Sequence, residues 1–541
     1  MASGNQLITK PFSKEQPAPL ISYGLPYAEA CQYHVESTLK CKRIFLLLSA
    51  SLTKNSDVRE RMKQALGGKV VGMRIGMKPH TFWSEILEVV DDIRFLEVDC
   101  VISIGAGSLT DAVKVIVWAL ANGVRHEDDL AKLADRRSPG FDGLKSPTIK
   151  TIAVPTSLSG GEYTSFAGAT NNKTGQKVLF TPPVQNPGIV VLDPEVAATT
   201  PSRLFLGSGV RAMDHCVETV CSLQSNEKGD KTAIEGLELL VPALLAFHKD
   251  PTNLVAIHNA QLGAVEAVKT TVYVPEKGGS HAIGHMLGPI GVAHGETSCI
   301  LLPAVCRYNA LKGANAQQQQ KLAAILLQVP GLESLVSGGQ KDLASILEAL
   351  VSALNLPRTL KQVGISRDLF DTLAVNTLTD IWAKTNAVPL VQKEQVLDIL
   401  EMVADSVQPL MSAMSASSEN TDTALYKLTF YVPQSHTQKC LDALWSTGAG
   451  TWPNGLGVDT REPPKYTDTA FVSPGIGQFK VAAHATPHIG TPGNGEAEYV
   501  SEDRVEMVIV GTSTTKRGVA RLREAHPYEV VALFVVRCED F

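Results

Sequence analysis

The sequence predicts a multidomain chain: an N-terminal α/β domain on a parallel sheet, an all-helical second domain, and a small C-terminal α+β module of the ferredoxin-like kind. Three observations predict it. Up to about residue 185, short apolar runs alternate with segments of helical period. Between Asp193 and Asp405 long helical patterns dominate. After a stretch rich in Ser and Thr, two-residue alternation returns among frequent Gly and Pro. The 541 residues suit about three domains at ~150 residues each, and 44% apolar content is ample for real cores.

Arg43–Ala50 (RIFLLLSA), Asp99–Gly105 and Thr148–Pro155 are continuous apolar runs of strand length, as expected of strands covered on both faces. Thr81–Phe95 and Thr110–Ala121 carry apolar residues at helical spacing between them. Helices are predicted over Ile234–His248, Asn253–Ala267, Gln317–Leu327, Lys341–Leu354 and Gln395–Ser406. The expected boundaries are 1–190, 191–406, a linker at 407–423, and 424–541. In the last part Tyr426–Pro433 alternates like a half-buried strand, strands return at Arg504–Val510 and Val530–Val536, and Thr514–His526 reads as a helix. Strand, helix, turn-rich middle, strand, helix, strand is the split βαβ pattern.

Composition excludes several classes. A net charge of −6 with mixed signs leaves no basic face for nucleic acid. Nine scattered cysteines without a CxxC pair suit reduced thiols in a cytoplasmic setting. The N-terminal residues lack the apolar core of a secretory signal, and no apolar run is long enough to span a membrane.

Two loops at predicted strand ends suit a phosphate-bearing ligand. In SIGAGSLTDAVK the strand runs into Gly105, Ala106, Gly107 and Ser108, and a helix follows. Glycines let the backbone approach phosphate oxygens, and a helix N-terminus offers free N–H groups. Asp111 falls in the first turn, where its charge suits the dipole. In PTSLSGGEYT, Thr156, Ser157 and Ser159 crowd the next strand end, with Lys177 downstream as a candidate anion contact. Ser49, closing the first strand, is a small neutral residue where a ribose would lie and does not separate NAD from NADP.

The most informative stretch is Glu276–Gly295, EKGGSHAIGHMLGPIGVAHG, which places His281, His285 and His294 within fourteen residues. His281 and His285 are spaced i,i+4, so a helix presents both on one side. Imidazole is both a metal ligand and a proton carrier near neutral pH.

Together GAGSLTDAVK, PTSLSGGEYT, LDPEVAATTP (192–201), GVRAMDHCVE (209–218) and SHAIGHMLGPIGVAHG resemble the iron-containing alcohol dehydrogenase superfamily over about residues 20–405. Within it the chain is most similar to maleylacetate reductases, through its short PTS loop, GGSHAIGHMLG, and Asp380-Ile381-Trp382 with Thr385, Asn386 and Pro389. The resemblance implies a dehydroquinate synthase-like architecture, an NAD or NADP cofactor, and a cleft between the first two domains with a carboxylate or carbonyl substrate. It further implies a catalytic set of Arg211, His215, His281, His285 and His294. Metal-dependent members carry Asp at position 211, so this chain retains a degenerate metal set of His215, His281 and His294. A guanidinium cannot ligate a cation and repels one, which argues against bound Fe or Zn. It can instead hold a substrate carboxylate through paired hydrogen bonds. Asp214, at i,i+3 from Arg211, is its nearest candidate partner. Two other readings stay open: a metal-dependent alcohol dehydrogenase that recruits Asp214, and a degenerate nucleotide-binding scaffold.

Residues 424–541 resemble a different family, the small domain inserted in YqfO-type members of the NIF-three-like proteins, which is similar to CutA. The markers are YKLTFYVP, LDALWSTGAGTWPNG, GIGQFKVAAHATPHIGTPG, EDRVEMVIV and AHPYEVVA. The likeness implies oligomerisation, and a homo-oligomer is expected. His484, His488 and His526 with Glu529 are a candidate ligand cluster there.

Overall fold

A computed structural model of the chain describes residues 6–78, 81–134, 141–336, 341–405, 425–451 and 464–538. The chain divides into two compact units, Met1–Pro409 and Leu410–Phe541. The expected linker at 407–423 lies outside the described residues.

The first unit begins with a seven-stranded sheet. Its strands are β1 (Ile8–Pro11), β2 (Leu20–Tyr23), β3 (Ile44–Leu48), β4 (Val70–Ile75), β5 (Cys100–Gly105), β6 (Lys150–Pro155) and, after a hairpin of β7 (Ala167–Thr170) and β8 (Lys177–Phe180), β9 (Ile189–Val191). The order is β1-β2-β9-β6-β5-β3-β4. All neighbours run parallel except β1 against β2. Alternate residues of β3 feed two cores. Phe45 and Leu47 pack under the helices Trp83–Phe95 and α1 (Gly107–Ala121). Ile44, Leu46 and Leu48 pack on the opposite face with residues of Tyr27–Tyr33 and Val58–Leu66. Burial on both faces is why these strands read as unbroken apolar runs.

From β3 the chain crosses first to β4 at the sheet edge and then back to β5 on the other side. The C-terminal ends of β3 and β5 therefore form the topological switch point, where open α/β sheets bind ligands.

The rest of this unit is helical. Its main members are α2 (Ser202–Val220), α3 (Glu227–Lys249), α4 (Leu254–Tyr273), α5 (Gly279–Leu287) and α6 (His294–Leu311). Asn226 and Asn253 cap α3 and α4 by accepting backbone N–H groups. Helices α2 and α6 cross closely at two glycines. A Cβ on Gly295 would sit 2.3 Å from the carbonyl carbon of Gly207, so only glycine fits. This contact brings the helix of Arg211 and His215 against the helix that His294 opens.

The second unit carries β10 (Leu425–Pro433), β11 (Phe471–Phe479), β12 (Glu498–Val510) and β13 (Leu533–Arg537), ordered β11-β12-β10-β13 and antiparallel throughout. Leu428, Phe430, Val432, Val505, Met507 and Ile509 pack against the helices Thr437–Trp445 and Thr512–Ala525. Strand β11 lies in the stretch read as merely turn-rich. Its Pro and glycines hide a strand signal, which an edge position tolerates. Among the described residues no helix is long and apolar enough to cross a membrane.

Candidate active site

The two loops read as phosphate sites meet at the switch point. Ser49 follows β3, donates its backbone N–H to the Ile104 carbonyl at 2.9 Å, and caps the helix Ala50–Asn55. Gly105 and Ala106 turn β5 into α1, and Ala106 has no side chain to cap that helix. The N–H groups of Gly107 and Ser108 at this helix start have no side-chain cap. Gly107 packs so closely that a Cβ there would lie 2.9 Å from Ser159 Oγ, which also pairs with Ser157 Oγ at 3.0 Å. Thr156 donates its N–H to the Gly105 carbonyl at 3.1 Å, joining the second loop to the first. The Ser108 carbonyl accepts from Thr81 Oγ1 at 3.0 Å.

Asp111 faces inward from the loop. It accepts from the Gly168 N–H at 3.1 Å and lies 3.5 Å from Lys114 Nζ. Buried Lys114 donates to the carbonyls of Gly161 and Phe166, both at 2.6 Å, tying α1 to the second loop. In this structure Asp111 therefore braces the loops from behind. Lys177, opening β8, lays its side chain over Gly168, and its charge reaches His294.

Helix α2 carries a polar stripe, Arg211, Asp214, His215 and Glu218, at helical spacing in an otherwise apolar face. All but His215 are buried to below a tenth of their surface. Arg211 Nη1 donates to Ser298 Oγ at 3.1 Å and lies 3.6 Å from Asp214 Oδ2. The same Asp214 oxygen accepts from Ser280 Oγ at 2.7 Å and Ser298 Oγ at 2.6 Å. Its Oδ1 is buried with no hydrogen-bond partner. Burial works against the Asp214 charge, but His281, Arg211 and Ser298 hold its carboxyl below the usual range.

Glu218 caps the start of α5 from outside. It accepts from the backbone N–H groups of Gly278 at 2.7 Å and Ser280 at 2.8 Å, and its Oε2 lies 2.8 Å from His281 Nδ1. This fixes the His281 ring, whose Nε2 lies 3.5 Å from His215 Nε2. His215 Nδ1 is buried without a partner. Buried Lys277, lowered by desolvation to about 8, donates to Thr219 Oγ1 and the Val274 carbonyl behind this group.

His281 and His285 leave the same helix but serve different neighbours. His285 Nδ1 pairs with Asp380 Oδ2 at 2.8 Å. Trp382 packs against both rings, with centroids 5.5 Å from His281 and 5.1 Å from His285. His294 stands 6.1 Å from His285, centroid to centroid, and is exposed. Desolvation pushes the His215 imidazole well below the usual value, helped by the charges of His281 and Arg211. Burial also lowers His285, against the raising effect of Asp380.

Of the degenerate metal set, His215 and His281 come together, Nε2 to Nε2 at 3.5 Å, without His294. Among the described residues the group whose ligand atoms lie within 4.8 Å of one another is Asp214, Glu218 and His281. Sequence reasoning quoted Glu218 and Asp380 inside motifs but gave neither a role. The polar stripe of α2 could have flagged Glu218, whereas Asp380, 95 residues from His285, left no local signal.

A shift in pKa is also a statement about stability. The unfolded chain protonates His215 near the ordinary imidazole value of ~6.5, while the folded protein resists. Stability should therefore be full above that pH and fall as pH drops below it. The limiting slope is about 1.4 kcal/mol per pH unit for each such histidine. Melting curves from pH 8 to 5 should show a flatter acid limb for His215→Asn than for the unaltered protein. Equal slopes would show that His215 titrates normally.

The family model for iron-containing alcohol dehydrogenases matches residues 27–194, and the model for the C-terminal part of the same family matches residues 205–404. The chain belongs to the iron-containing alcohol dehydrogenase family. It is an oxidoreductase of that family, with the α/β and helical parts of its fold. Dehydrogenase FUM7 of Gibberella moniliformis is 35% identical over 415 residues, covering 71% of this chain and 96% of its own. A maleylacetate reductase of Agrobacterium tumefaciens shares the fold, with a TM-score of 0.57 at 22% identity over 75% of this chain and 100% of its own. A sulfoacetaldehyde reductase of Bifidobacterium kashiwanohense, solved in complex with NAD+, does so with a TM-score of 0.61 at 20% identity, over 71% and 97% of the two chains.

In the second unit His488 and His526 both pack against Tyr528, with centroids at 6.4 and 5.3 Å. His526 is locked by backbone, with Nε2 on the Tyr431 carbonyl and Nδ1 accepting the Tyr528 N–H. Glu529 accepts from the Thr486 N–H, and His488 also packs against His436 at 5.2 Å. His526 thus ties its turn to β10, and Glu529 holds the Thr486 backbone.

Proposed function

We propose that the protein is an NAD(P)H-dependent reductase of maleylacetate or a related unsaturated oxo-diacid, acting without a bound metal. The carrying observation is Arg211: a guanidinium buried at the position where metal-dependent relatives place a carboxylate, held by Ser298 and Asp214 beside the imidazoles. A buried cation at that position makes the site poor for a divalent ion and good for an anionic substrate. Gly105, Ala106, Gly107 and Ser108 would hold the dinucleotide phosphates with Thr156, Ser157 and Ser159, Ser49 would lie by the ribose, and Lys177 would add a cation. When bound, the reduced nicotinamide supplies the hydride. Arg211 holds a carboxylate and stabilises the enolate that forms, and an imidazole of the cluster donates the proton.

One observation favours a second reading, a metal-dependent alcohol dehydrogenase: Asp214, Glu218 and His281 lie within ligand reach, and Asp214 Oδ1 has no partner. Against it, Asp214 Oδ2 and both Glu218 oxygens already accept hydrogen bonds. The deciding experiment is NADH and NADPH oxidation with maleylacetate and with simple aldehydes, beside metal analysis of the purified protein. Diacid turnover without stoichiometric iron or zinc is expected. Aldehyde turnover with one tightly held ion per chain selects the second reading.

For the C-terminal unit we propose a ferredoxin-like, YqfO/CutA-like module that assembles the enzyme into a homo-oligomer. Its strand order and antiparallel pairing support that reading. Light scattering of the intact chain tests it.

A further inference from the structure

We propose that His285 is the imidazole that protonates the substrate and that Asp380 is the positioning residue that orients it; this rests on the reductase reading above. Four imidazoles line the site, and three are unsuited. His281 has one nitrogen on Glu218 and the other against His215, and its side chain is 1% exposed. His215 faces His281 with Nε2, and its Nδ1 is enclosed by protein. His294 is exposed but makes no side-chain hydrogen bond among the described residues, so nothing fixes one ring nitrogen to orient the other.

His285 alone combines a carboxylate on Nδ1 with an open Nε2 and a side chain 31% exposed. A proton donor needs this arrangement, with one ring nitrogen fixed by an orienting acceptor and the other facing the reacting atom. Asp380 is itself held. Its Oδ1 accepts the Trp382 N–H at 2.9 Å, which caps the turn Ile381–Ala383, so only Oδ2 faces the imidazole. Trp382 then covers the ring at an interplanar angle of 37° and limits its rotation.

The step balances. A bound reduced nicotinamide would supply hydride to the alkene carbon remote from the ketone, and the π pair would move to make the enolate. The enolate carbon next to the carbonyl takes the proton from Nε2 of protonated His285. Neutral imidazole remains, still hydrogen-bonded to Asp380, and recovers a proton from water. The bound diacid favours the protonated ring by its charge.

The test uses the full chain with Asp380→Asn, Asp380→Glu, His285→Asn and the double change D380N/H285N. In Asp380→Asn the amide oxygen can still accept the Trp382 N–H, so the turn is retained while its NH₂ faces Nδ1. We expect kcat to fall about 10²-fold, with KM for diacid and dinucleotide within a few-fold of the starting values. Asp380→Glu should regain part of the loss, and D380N should add nothing once H285N is present. Nitrogen-15 spectra of labelled histidine, recorded without substrate, should show the Nδ1–H form of His285 lost in Asp380→Asn. An unchanged kcat, additive losses, or an unchanged tautomer overturns the proposal. Absence of diacid turnover in the unaltered protein overturns the reductase reading instead, and the tautomer measurement still judges the dyad.

Discussion

Arg211→Ala is expected to lower kcat/KM for an unsaturated diacid by about 10²- to 10³-fold while leaving dinucleotide binding near its original strength. The guanidinium is buried, so its bond to a substrate carboxylate forms in a low dielectric. Breaking such a pair costs about 2–5 kcal/mol, and each ~1.4 kcal/mol is tenfold. Asp214 would keep its two serine donors, so the fold should survive. A neutral aldehyde should lose far less than the diacid, and similar losses on both would assign Arg211 a merely structural role. Arg211→Asp sharpens the comparison. It restores a carboxylate one helical turn before His215, the spacing that presents both to one ion. That variant should acquire iron or zinc while losing the diacid. Metal analysis showing no gain would mean that the imidazole geometry, and not the guanidinium alone, precludes the ion.

Glu218→Ala should be the most damaging single change to the site. Three buried donors converge on this carboxylate: the N–H groups of Gly278 and Ser280 and the Nδ1 of His281. Removing the acceptor leaves all three unsatisfied, at about 1–3 kcal/mol each. In a unit of this size that lowers melting by on the order of 5 °C. Activity should fall further than stability explains, because His281 loses the group that sets its ring. Glu218→Gln, which keeps an acceptor for α5, should melt closer to the unaltered protein yet remain impaired. A Glu218→Ala protein with unchanged melting and turnover would refute this role.

The core strands were readable because each apolar run is short and buried on both faces, as in β3 and β5. Strands β1, β2 and β9 escaped because three or four residues are too few to display a period. The i,i+4 spacing of His281 and His285 correctly put both on α5. It could not tell that their roles diverge, since that depends on α2 lying against one ring and the Asp380 turn against the other.

Local chemistry along the chain was enough to reveal the glycine- and hydroxyl-rich loops at strand ends, the clustered imidazoles and the cation at position 211, because residue identity and spacing act within a single helix or turn. Which nitrogen faces which carboxylate was settled by folding alone. Glu218 reaches His281 across 63 residues and Asp380 reaches His285 across 95. No pattern inside one element encodes such a pairing; it arises when the packed helices exclude water and leave each buried donor a single acceptor.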